Sequence, residues 1–171
     1  YACHIGMDWR DPTGAAIELP ANSKIVGMVE GNIRHNVIQE IAKANGFRVE
    51  VTNPNSGPKN GSGRIDIVEK RLKVEIKTAT PSEIRGALSQ HSRRTGRPAG
   101  FKSAVEIYNP TKTLPKAGDV FNTIRLSTAE AETLAELGTK NKWNAQQTYD
   151  YAKVNKMGTN NSFKVTQSAI D

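Results

Sequence analysis

The chain carries a single cysteine, Cys3, among its 171 residues. One thiol cannot close an internal disulfide or build a cysteine-rich metal centre, so a disulfide scaffold and a zinc ribbon are both excluded. Aromatic residues are scarce, with four Phe and two Trp, which implies a modest and mainly aliphatic core. They are few in the basic region of the chain as well, which argues against a module that grips single strands by stacking their bases. No apolar run approaches the length of a membrane-spanning helix, and mean hydropathy is -0.57. Signal peptide and initiating methionine are both lacking: Tyr1 opens the chain, and the expectation is a segment of a longer polypeptide. No internal repeat is evident.

What is present suffices for one domain with a real core. The formal net charge is +7, and it is unevenly placed. Residues 64–125 hold 13 Lys and Arg against 6 Asp and Glu, whereas the remainder holds 11 against 11. All the excess positive charge therefore falls in one stretch, where it favours a polyanion such as nucleic acid.

That stretch opens with two short β-branched runs, Ile65–Val68 and Leu72–Ile76, around a charged break at Glu69, Lys70 and Arg71. The pattern predicts a hairpin. Side chains alternate along a strand, so Glu75 and Lys77 share one face while Val74 and Ile76 take the other. Asp66 on the partner strand comes near Glu75 across the hairpin. Carboxylates set among apolar strands are costly unless neutralised. A hard divalent cation, Mg²⁺ or Mn²⁺, selects such oxygens, lowers the pKa of a bound water and offsets charge on a phosphate.

Asp66 followed by Glu75-Ile76-Lys77 resembles the signature of the PD-(D/E)XK nuclease superfamily, with Ile65 where proline usually precedes the aspartate. The resemblance covers roughly residues 30–108. It implies an α/β fold with a restriction-endonuclease-like core, a mixed central sheet flanked by helices. It further implies that Asp66 and Glu75 hold the metal and that Lys77 orients or activates the attacking water.

Lead-in residues 1–24 are broken by Gly6, Pro12, Gly14 and Pro20 and read as irregular. A helix is predicted from Glu30 to Asn45, with Val29, Ile33, Val37, Ile41 and Ala44 at three- and four-residue steps and Gly46 as its stop. Glu30 projects into the middle of that face and Glu40 onto its edge; alternatively Asn32 is the N-cap and leaves Glu30 outside. In the superfamily the first helix often supplies a further acid, which makes Glu30 a third metal ligand with Glu40 in reserve. Gly31 and His35 resemble a Gly-x-x-x-His of some nuclease branches, although the periodicity turns His35 away from the apolar face as an ordinary surface residue. A strand over 46–51 and a polar loop over 53–63 lead into the hairpin.

Thr80-Pro81-Ser82-Glu83 is a capping box that starts a helix. Ile84, Ala87, Leu88 and His91 form its apolar face, which makes His91 a wall residue. Gln90 resembles a glutamine that toxin branches of the superfamily carry near the site. Arg93, Arg94, Arg97 and Lys102 follow as a basic turn suited to backbone phosphates. Strands are expected over 103–108 and 121–126. A second capping box at Ser127 starts a helix ended by Gly138, and a last helix covers 143–155 before a polar tail. The organisation expected is a lead-in at 1–24, a core at 25–126 and a helical extension of the same domain at 127–171.

The expected function is metal-dependent hydrolysis of phosphodiester bonds in DNA or tRNA. The resemblance extends to C-terminal nuclease modules of bacterial secreted toxins, including contact-dependent growth inhibition systems. It implies secretion within a larger toxin, action in the target-cell cytoplasm and a cognate immunity protein as partner. Two alternatives stand beside it. One is a metal-independent ribonuclease that uses His35 or His91 with Lys and Thr; the other is a nucleic-acid-binding module without catalysis.

Overall fold

The computed structural model describes residues 17–18, 35, 38–39, 42–43, 46–52, 64–94, 102–108, 118 and 120–164. These form an α/β arrangement built on a mixed seven-stranded sheet, in the order β1-β7-β6-β5-β4-β3-β2. The strands are β1 (Ile17–Glu18), β2 (Arg48–Thr52), β3 (Arg64–Glu69), β4 (Leu72–Thr78), β5 (Lys102–Tyr108), β6 (Val120–Ser127) and β7 (Thr159–Lys164). Pairing is antiparallel except for β4 with β5 and β1 with β7. Three helices flank the sheet: α1 (Pro81–Arg94), α2 (Thr128–Lys140) and α3 (Ala145–Val154). A leading helical segment contributes His35, Ile38, Gln39, Ala42 and Lys43.

Register and alternation divide the sheet into two faces. Ile67 pairs with Val74, Val74 with Ala104, and Glu106 with Arg125. One face therefore carries Ile67, Glu69, Val74, Ile76, Glu106 and Arg125. The other carries Asp66, Val68, Lys73, Glu75, Lys77, Val105, Ile107, Ile124 and Leu126. On this second face Val105, Ile107, Ile124 and Leu126 join Ile84 and Ala87 of α1, Leu134 of α2 and Tyr149 of α3 in one buried cluster. Burial of these aliphatic chains is the main force that holds the three helices to the sheet.

The opposite face contains an ionic network. Arg125 Nε donates to Glu106 Oε1 at 2.7 Å, and its Nη2 meets Glu69 Oε2 at 2.7 Å. Thr123 Oγ1 and Asn161 Nδ2 both donate to Glu106 Oε2. Burial opposes the guanidinium charge, but Glu106 and Glu69 outweigh it and hold the pKa of Arg125 above its ordinary value. These bonds tie β3, β5, β6 and β7 together.

Several boundaries differ from those the sequence predicts. The hairpin break narrows to Lys70 and Arg71, because Glu69 stays in the strand opposite Leu72 and reaches Arg125. Lys70 takes the strain of the tight turn at φ 52°. α2 runs through Gly138 to Lys140. That glycine serves close packing and not helix termination, since a Cβ there would lie 2.5 Å from Pro81 Cγ on α1. The extension at 127–171 is not wholly helical: the polar stretch Thr159–Lys164 forms β7, whose Asn161 is held by Glu106. Ile17–Glu18, within the lead-in, pairs with β7.

Candidate active site

Asp66 and Glu75 come together because of the hairpin register. Ile67 faces Val74, so one more residue along each strand sets the two acids side by side on the same face. Both residues are nearly buried, at 9% and 5% exposure, and Glu75 is among the groups that act on the Asp66 carboxyl. Asp66 Oδ2 also accepts the backbone N–H of Ile76 at 2.8 Å, which fixes the carboxyl against β4.

His35 completes this corner, with Nε2 3.3 Å from Asp66 Oδ1. Burial alone pushes the Asp66 pKa up; His35, through hydrogen bond and charge, then Glu75 and the Ile76 amide more than offset it and hold it below the usual value of 3.8. Asp66 is therefore an ionised carboxylate at neutral pH, with oxygens ready to accept.

The histidine is positioned from the leading segment. Counting about 100° per residue, His35, Ile38, Gln39 and Ala42 lie on one stripe of a helix, and Ile38, Gln39 and Ala42 are buried. Gln39 Nε2 donates to the backbone carbonyl of Asp66 and to Glu50 Oε1, each at 3.0 Å. The sequence places His35 on the surface because its apolar periodicity follows Ile33, Val37 and Ile41. The signal overlooked is the Ile38–Ala42 pair, which shares its stripe with two polar residues that bind β3.

Lys77 shares the face of Glu75, is half-buried, and has Nζ 3.9 Å from Glu83 Oε2 in the first turn of α1. That turn is fixed by the Glu83 N–H donating to Thr80 Oγ1. Gln90 lies seven residues further along α1, on the same stripe as Glu83, and its Oε1 is buried without a hydrogen-bond partner. His91 is buried and its Nε2 bonds the carbonyl of Ala104 at 3.1 Å. Lys102 is exposed at the start of β5. Arg93 and Arg94 lie in the last turn of α1, and their side chains are outside the described residues, as are Glu30, Glu40 and Arg97.

Among the described residues no three His, Cys, Asp or Glu side chains are grouped to hold a metal ion. Two neighbouring carboxyls still match the chemistry of Mg²⁺, which binds through one or two carboxylates and fills its remaining positions with water and phosphate oxygens. Among the described residues no helix is long and apolar enough to cross a membrane. Comparison of the chain with protein-family models, curated proteins and solved structures returns no match.

Proposed function

We propose that the chain is a metal-dependent nuclease of the PD-(D/E)XK kind, with a restriction-endonuclease-like core. The observation that carries this reading is the hairpin register that sets Asp66 and Glu75 side by side on the face that also presents Lys77. Asp66 and Glu75 would hold the divalent cation, with Glu30 as a further acid; when bound, Mg²⁺ or Mn²⁺ polarises phosphate and lowers the pKa of water. Lys77 donates hydrogen bonds toward the attacking water or a non-bridging phosphate oxygen, where negative charge grows in the transition state. Gln90 has an unsatisfied amide oxygen on the neighbouring helix and would help orient that water.

Attack by water on phosphorus breaks one P–O ester bond and leaves a phosphate monoester and an alcohol. Arg93, Arg94, Arg97 and Lys102 would bind flanking phosphates, which positions a strand without reading its sequence. DNA and tRNA both fit backbone-directed contacts. A role as the toxic module of a secreted bacterial protein, acting in the cytoplasm of a target cell and matched by an immunity protein, belongs to the same proposal.

A second reading rests on the 3.3 Å approach of His35 to Asp66. A carboxylate holding an imidazole is the arrangement of a general base, and a metal-independent ribonuclease could use it on a 2′-hydroxyl. One assay separates the two. Plasmid DNA and total tRNA are incubated with wild type, Asp66→Ala and Lys77→Ala, in Mg²⁺ and in chelator. The nuclease reading expects cleavage only with metal, and a loss of at least ~100-fold in each folded variant. Cleavage of tRNA alone, in chelator and with Lys77→Ala still active, would transfer the chemistry to His35.

A further inference from the structure

Trp143 and Tyr151 form a surface that the proposed chemistry leaves unused. Tyr151 lies on α3 and packs against the buried cluster beneath it. Trp143, in the turn between α2 and α3, sets its ring 4.9 Å from that of Tyr151 at a 35° tilt. The turn holds it there: the Trp143 N–H donates to the Gly138 carbonyl at 2.9 Å, and Lys142 takes φ 56° at the reversal. The core thus backs Tyr151 and Tyr151 backs Trp143, while both residues stay only half-buried. The flanking chain is basic, since residues 139–157 hold four Lys against one acid. Lys140 and Lys142 stand within three residues of Trp143, Lys153 is two beyond Tyr151 and Lys156 follows the helix; all four are exposed. The acid, Asp150, accepts from Gln146 Nε2 at 2.7 Å.

A rigid aromatic platform beside exposed ammonium groups matches an unpaired nucleotide, which offers a π-face for the rings and phosphates for the lysines. A base inside a duplex is already stacked on both sides and gains nothing from the rings. An acidic peptide would use the lysines and leave the rings idle. We infer that the Trp143–Tyr151 platform binds an unpaired stretch of nucleic acid, with one base stacked on Trp143 and its flanking phosphates on Lys140 and Lys142. Binding stands on this surface alone; its use as a substrate subsite rests on the nuclease reading. α3 packs on the sheet face that carries Asp66 and Glu75, so a strand held there stays on the side of the acids. Aromatic residues are few in the basic stretch 64–125, and the platform adds a single stacking point to backbone-directed contacts made elsewhere.

The test is an anisotropy titration of a labelled short oligothymidylate and of a blunt DNA duplex of equal length, both in chelator. DNA in chelator is cut under neither reading of the chemistry. Wild type is expected to bind the single strand more tightly than the duplex. Trp143→Leu is expected to lose at least ~5-fold for the single strand and little for the duplex, while Trp143→Phe keeps most of the binding. Lys140→Gln/Lys142→Gln is expected to weaken single-strand binding and to reduce its log–log salt slope by about 1.4, for two phosphate contacts. Equal or tighter binding of the duplex, or Trp143→Leu binding the single strand as wild type does, would overturn the inference. Polyglutamate displacing the strand from wild type and binding Trp143→Leu equally well would give the face to an acidic protein instead. If Trp143→Leu fails to fold, the emission of Trp143 in a Trp9→Phe chain decides: quenching by oligothymidylate supports stacking, and unchanged emission at saturation refutes it. Failure of the nuclease reading would appear in the Mg²⁺ cleavage assay and leave this titration as it stands.

Discussion

Asp66 carries more of this site than any other residue, and its environment dictates a pH dependence. Its pKa is held down in the folded chain by His35, Glu75 and the Ile76 amide acting against burial. A depressed carboxylate pKa contributes stability that is present above the unfolded value near 3.8 and lost as pH falls through the lower folded value. His35→Ala removes the largest of the stabilising partners. It is expected to cost about 1–2 kcal/mol at neutral pH and to flatten the fall in stability on the acid side, as measured by denaturant unfolding from pH 7 to pH 3. An unchanged acid limb in the variant would show that the histidine does not govern the carboxylate. The acid–acid–lysine constellation was legible in the sequence, because strand alternation and hairpin register follow from residue type alone. The role of His35 was not, since it depends on Gln39 reaching the carbonyl of a strand 27 residues away.

At the scale of elements, local chemistry and tertiary packing can be told apart. The start of α2 is local: Ser127 Oγ accepts from the Glu130 N–H at 3.2 Å, and Glu130 Oε1 accepts from the Ser127 N–H at 3.0 Å. That reciprocal pair is readable directly from the sequence. Gly138 shows the converse, because its meaning lies in a contact with Pro81 on another helix. Gly138→Ala is expected to destabilise the fold by about 1–3 kcal/mol through overpacking, despite the better helix propensity of alanine. Thermal unfolding would check this, and a stabilised variant would mean that the glycine is there for the helix end after all. Strand β7 escaped the sequence pattern for a related reason. Thr159–Lys164 is polar, and its place comes from pairing with β6 and from Glu106 binding Asn161, not from an apolar face of its own.

Across the whole molecule, the buried network joins the hairpin that carries Asp66 to the far half of the sheet. Glu69 lies three residues from Asp66 on β3, and Arg125 links it to Glu106 in the centre of the sheet. Removing the guanidinium leaves two buried carboxylates without their cation, so Arg125→Met is expected to cost about 3–5 kcal/mol. Surface screening does not reach this pair, so the loss should be nearly independent of salt in denaturant unfolding. A salt-dependent or negligible loss would show that the network is solvated. The mixed α/β class was legible from the alternation of apolar runs and capping signals. The network was not, since nothing in the local sequence around Glu69, Glu106 or Arg125 marks them as partners.

The sheet presents Lys77 on the face of the acid pair, and this combination underlies the functional proposal. Its most direct test is the rate at which the intact chain cleaves phosphodiester bonds as Mg²⁺ is titrated in from excess chelator. No cleavage is expected in chelator, and a saturable rise is expected as Mg²⁺ is added. Undiminished cleavage in chelator would contradict the proposal.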